Sequence, residues 1–159
     1  MPEITVLGWV HTAFGALAIV CGIYALYKHK VFELSDRSSQ VYLIATLITA
    51  LTALGIYQRG TFGPGHALAI MTLLALAVGL VASKTTLFGG LSRYLQAASF
   101  TGTLLFHSIP AITDGLLRLP VGDPLLTSIN DPFFKVAYGV MLALYLAGLA
   151  LQIRWLRRQ

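Results

Sequence analysis

Five long apolar stretches constrain this chain more than any other feature. They are Ile4–Tyr27, Ser39–Tyr57, His66–Ser83, Leu95–Leu117 and Phe133–Trp155. A helix crosses a bilayer core with roughly 20 largely apolar residues, in a range of about 17–25. Each stretch fits that length, so the spacing predicts an all-α, polytopic transmembrane bundle of five helices in a single domain over residues 1–159. Composition agrees. Hydrophobic residues make up 57% of the chain and charged ones 11%, against about 45–50% and 25% for a soluble domain. The net charge is +5. The cations gather in short loops and at the C-terminus, which points to membrane orientation and away from nucleic acid.

The breaks have loop chemistry. "KHKVFELSDRS" is charged, "QRGTFGPG" is rich in Gly and Pro, and "KTTLFGGLSR" pairs glycines with cations. "RLPVGDPLLTSINDP" is the longest, and its Asn130-Asp131-Pro132 end suits a turn that starts a helix. Ile4–Tyr27 lacks a basic leader and is too long for a cleaved apolar region, so it is expected to be retained as a helix. One side of the predicted bundle collects Lys28, Lys30, Arg37, Lys84, Arg93, Arg154, Arg157 and Arg158; the other has Arg59, Arg118 and Lys135. The richer side is expected to face the cytoplasm, which puts the N-terminus outside and the C-terminus inside. The expected location is a bacterial inner membrane, crossed several times. The lone Cys21 excludes an internal disulfide and reads as a small buried hydrophobe.

A polar or ionisable group at membrane depth is a functional candidate by default. Residues three and four apart share a helix face. The first span has the stripe Gly8, His11, Gly15, Ala18, Gly22. Its small residues suit close helix packing, or they open room beside His11 for a flat cofactor, with Gly15 and Gly22 as the supporting positions. His66 opens the third span after Pro64 and Gly65. The fourth span lines up Gln96, Phe100, Thr103, His107, Ala111, Asp114 and Arg118. Asp114 and Arg118 are one turn apart and can pair. Pro110 removes a backbone bond, and the freed carbonyl of Phe106 needs a partner such as Ser108, Thr113 or water. Tyr138 and Tyr145 of the fifth span are expected to line the interior that holds His107. In the second span, Tyr42, Thr46 and Thr49 share a stripe, and such threonines commonly bond their own helix. His29, between Lys28 and Lys30, reads as a solvated loop residue.

Three chemistries use such a set. Haem b can be ligated by imidazoles from two helices. A transition metal (Zn, Cu or Fe) can be held by His11, His66 and His107, with Asp114 as a further ligand or as the carboxylate that orients a ligating histidine. A proton or quinone site uses histidines that titrate near neutrality. The expected role is cofactor binding through His11, His66 and His107, with redox or cofactor handling. Two other classes stay open: a non-catalytic assembly subunit, and a small transporter or channel. Besides the lipid bilayer, the expected partner is a second copy or a larger membrane complex, with no nucleic acid. No Walker A, Rossmann, HExxH or serine-triad pattern occurs.

"HTAFGALAIVCGIYAL" with its basic loop, "GPGHALAIMTLLALAVGL" and "FHSIPAITDGLLRLPVGDP" together resemble an uncharacterised bacterial family of multi-pass inner-membrane proteins, a domain of unknown function. The resemblance covers roughly Gly8 to Arg154. It implies that His11, His66 and the "SIPAITDGLLRLPVG" block are signature positions, and it supplies no activity.

Overall fold

The structure, a computed structural model, describes residues 4–57 and 60–159. Arg59, one of the three cations on the cation-poor side, lies outside the described residues. Five helices follow in order: α1 (Val6–His29), α2 (Arg37–Leu54), α3 (Pro64–Lys84), α4 (Ser92–Arg118) and α5 (Pro132–Leu156), with a short 3-10 turn, Gly89–Leu91, before α4. Among the described residues there is no strand.

Local chemistry sets the helix ends. Free N–H groups at a helix start need acceptors. The Thr5 hydroxyl accepts from Gly8 N at 3.1 Å to start α1. Lys30, with φ 68°, closes α1 in the left-handed region while its N–H reaches Leu26 O. Asp36 accepts from Ser39 N at 2.9 Å and starts α2 at Arg37, two residues before the expected boundary. Gly55 ends α2 three residues short of the expected end at Tyr57. Asp131 and Pro132 open α5 as the turn chemistry predicts, with Asp131 accepting from Phe133 N at 2.9 Å.

α1 to α4 close into a ring in which each helix packs on the next, and α4 returns to α1. α5 stands outside this ring and packs substantially on α4 alone. Small residues let α1 and α2 approach. Ala18 and Ala25 are fully buried, and a Cβ on Gly22 would meet the Tyr42 ring at 2.9 Å. The core holds Phe32 stacked on Tyr42, with ring centroids 4.3 Å apart, together with Leu76 and Phe100. Phe100 lies against Gly79 of α3, in space that only a glycine leaves.

Three helices, α1, α3 and α5, are long and apolar enough to cross a membrane. α2 and α4 carry the polar residues. Ser39, Thr46 and Thr49 of α2 are buried, as are Thr101, Thr103 and His107 of α4. α4 runs unbroken through Pro110. Its hydroxyls do not relieve the Phe106 carbonyl as expected. Ser108 donates to Leu104 O at 2.9 Å and Thr113 to Ile109 O at 2.7 Å, because a hydroxyl in a helix reaches back four residues.

Candidate functional site in the bundle interior

The polar interior is built on α2. Ser39, Tyr42, Thr46, Thr49 and Thr52 recur at helical spacing and turn into the ring. The opposite face of α2 exposes Val41, Ile44, Leu47 and Leu51.

Two of the expected histidines converge on this row. His11 Nδ1 lies 3.0 Å from Thr49 O and 3.3 Å from Thr52 Oγ1. A carbonyl only accepts, so Nδ1 carries the proton and Nε2 keeps its lone pair. His107, from α4, places Nε2 3.1 Å from Thr46 Oγ1, and the pair is buried. Thr46 and Thr49 are less than one turn apart, about 4.5 Å along the axis. The imidazoles of α1 and α4 therefore attach to neighbouring turns of α2. One turn below His107, the Tyr42 hydroxyl donates to Phe100 O at 3.1 Å and lies 2.5 Å from Thr103 Oγ1. Thr103 and Thr46 are fully buried. At the end of the row the Ser39 hydroxyl accepts from Glu33 N at 3.2 Å. α2 and α4 are joined here by side chains.

His66 is elsewhere. Its Nδ1 accepts from Gly63 N at 3.1 Å and so helps cap α3. Tyr57 and Phe62 flank the ring, with centroids at 4.5 and 5.1 Å. Because Nδ1 accepts, the neutral ring has its proton on Nε2. That buried nitrogen has no hydrogen-bond partner among the described residues. In this tautomer it is a donor and offers no lone pair to a metal.

Asp114 does not orient His107. Its side chain is 58% exposed and lies 3.8 Å from Arg118 Nε in a long ion pair. Two helical turns separate it from His107, and among the described residues His107 bonds Thr46 only. Among the described residues, no group of three or more His, Cys, Asp or Glu side chains is placed to hold a metal ion.

The other supporting residues are also reassigned. Tyr138 pairs with Thr113 Oγ1 at 2.6 Å, and Tyr145 donates to Ala98 O at 3.2 Å. Both fasten α5 to α4, since α5 lies outside the ring and its hydroxyls meet α4 first. The room expected beside the α1 glycines is taken by α2 side chains. A Cβ on Gly15 would meet Thr49 at 3.5 Å, and Gly22 faces Tyr42. His29 is partly buried, with Nε2 3.0 Å from Asp36 Oδ1, because the basic loop folds back on the α2 start. That contact falls outside hydrogen-bond alignment. The sequence alone under-weighted Tyr42 and Thr46. Their signal was the 3- and 4-residue recurrence of hydroxyls along α2, which points to a continuous inner face.

The chain matches no family model, no curated protein and no solved structure.

Proposed function

We propose that this chain is a five-span integral membrane protein whose interior histidine pair, His11 and His107, passes protons along the hydroxyl row of α2. The observation that carries the reading is that both imidazoles reach hydroxyls of that row, His11 Nδ1 at Thr52 Oγ1 (3.3 Å) and His107 Nε2 at Thr46 Oγ1 (3.1 Å). The membrane part is supported by the inverted amphipathy of α2. Its exposed face is Val41, Ile44, Leu47 and Leu51, and its buried face is hydroxyl-bearing. Water would favour the reverse, whereas lipid favours this arrangement. The 18 residues of α2 reach about 27 Å, close to the roughly 30 Å bilayer core. With eight cations at one end, the N-terminus faces outside and the setting is a bacterial inner membrane.

An imidazole accepts a proton on one nitrogen and releases one from the other, so it passes protons while staying neutral between transfers. His11 lies within the first two turns of α1, and its Nε2 lone pair can take up a proton. Ser39, beside the Asp36 carboxylate, closes the row at the other. From Ser39 to Thr52 the row covers about 20 Å. Purified protein in vesicles with an internal pH dye should dissipate an imposed pH gradient. His107→Ala and His11→Ala should each slow dissipation at least tenfold. Equal rates in wild type and both variants would remove the reading.

One observation favours a second reading, ligation of haem b or a transition metal by His11 and His107. A ligating histidine commonly donates its other N–H to a carbonyl, and His11 does so to Thr49 O. Thr49 and Tyr42 occupy the space a ring would need, so this reading requires them to move. A Soret band, or stoichiometric metal by elemental analysis, that disappears in His107→Ala would favour it over proton transfer.

A further inference from the structure

Two clefts of the bundle open at the end away from His11. One, of about 340 Å³, lies between α1 and α5 over the surface of α4. It exists because α5 packs on α4 and leaves α1 unpartnered on that side. Its walls are Leu26 of α1 and Leu151 of α5, with Gly148 along the side. A Cβ on Gly148 would meet nothing within 4 Å, so the groove is open there. The polar floor is already satisfied: Gln152 donates to Lys30 O at 2.8 Å and to Thr101 Oγ1 at 3.0 Å. An occupant of the groove wall therefore needs apolar surface, and its polar part must lie at the mouth.

The mouth is cationic. Lys30 lines this cleft, and Arg93 lines a neighbouring one of about 320 Å³ together with the Glu33 carboxylate. Trp155 is the wall common to both. Both cations are exposed. Arg154, Arg157 and Arg158 add charge at the same end, against Glu33 and Asp36. Cations over an apolar groove complement a molecule with an anionic head and a hydrocarbon tail. We propose that this end binds one anionic glycerophospholipid. The phosphate lies between Lys30 and Arg93 across Trp155, and an acyl chain lies along Leu26, Gly148 and Leu151. The site rests on the membrane reading above. It does not rest on the proton-transfer reading.

Trp155 reports occupancy directly. In a Trp9→Phe background it is the sole tryptophan, and bromine on a nearby acyl chain quenches it. The protein is reconstituted in vesicles carrying brominated phosphatidylglycerol or brominated phosphatidylcholine at equal fractions. The expected result is preferential quenching by the anionic lipid, about five-fold in relative affinity for each cation in contact. Lys30→Gln with Arg93→Gln should abolish the preference. Gly148→Leu, whose Cβ meets nothing within 4 Å and whose side chain would fill the groove, should weaken quenching by both lipids. Equal quenching by the two lipids in the parent would overturn the site. A preference removed by inorganic phosphate would also overturn it, because the cations would then serve a soluble anion. Failure to enter vesicles at all would overturn the membrane reading and the site with it.

Discussion

Glycines show how residue-scale space decides the sign of a substitution. A Cβ on Gly79 would fall within the contact distance of the buried Phe100 ring, whereas one on Gly139 of α5 would meet nothing within 4 Å. Alanine gains about 0.5–1 kcal/mol over glycine in a helix when nothing obstructs it. Overpacking a filled core costs about 1–3 kcal/mol. Gly139→Ala should therefore raise the thermal midpoint in detergent, and Gly79→Ala should lower it. The two midpoints moving the same way would refute this account of the α3–α4 contact. Tyr42 poses the same question for a polar atom. Tyr42→Phe removes the donor to Phe100 O and leaves Thr103 with one partner fewer in a fully buried setting. The expected cost is about 1–3 kcal/mol, visible as a lower unfolding midpoint. An unchanged midpoint would mean that the hydroxyl contributes nothing to holding α2 against α4.

At the scale of elements, the start of α2 carries a pH-sensitive contact. The Ser38 hydroxyl and then the Ser39 backbone N–H bond the Asp36 carboxylate, and with a smaller contribution from His29 they hold it well below the usual carboxylate range. A depressed carboxyl stabilises the fold above its unfolded value, roughly pH 4, and that contribution is lost as pH falls below it. Wild-type protein should lose thermal stability progressively as pH falls from about 5 toward 2. Asp36→Asn keeps a capping side chain, and its curve should lack that part of the decline. Parallel curves would place the acid-sensitive group elsewhere. Helices were legible in the sequence at this scale because lipid-length apolar runs and cap residues such as Asp131-Pro132 are local signals. Partners were not. Asp114 shares a stripe with His107 on α4, yet same-face spacing over two turns does not bring side chains into contact. Tyr138 and Tyr145 belonged to the right helix, but their role depended on α5 lying outside the ring, which no local pattern encodes. The pairing of His11 and His107 depends on how α1 and α4 meet around α2, so only the assembled bundle reveals it.

Across the whole molecule, charge is distributed lengthwise. Eight cations and two carboxylates gather where α1, α3 and α5 end and α2 and α4 begin; among the described residues, Arg118, Lys135, Asp114, Asp123 and Asp131 lie at the other end. Lys and Arg in short loops resist translocation, so the cation-rich end should stay in the cytoplasm. This fixes which loops face which side only if every helix crosses. The decisive case is α4, whose polar stripe makes it the least lipid-like helix, although that stripe turns inward to Tyr42 and Thr46. Thr86 precedes α4 and Thr127 follows it, and both are exposed. In a Cys21→Ser background, Thr127→Cys should react with a membrane-impermeant thiol reagent on intact cells. Thr86→Cys should react only after lysis. Labelling of both from outside would mean that α4 does not cross, leaving α1, α3 and α5 as the candidate spans. Labelling of Thr86→Cys alone would mean the bundle is inverted. In that case the His11 end would face the cytoplasm, and protons would enter from the opposite side.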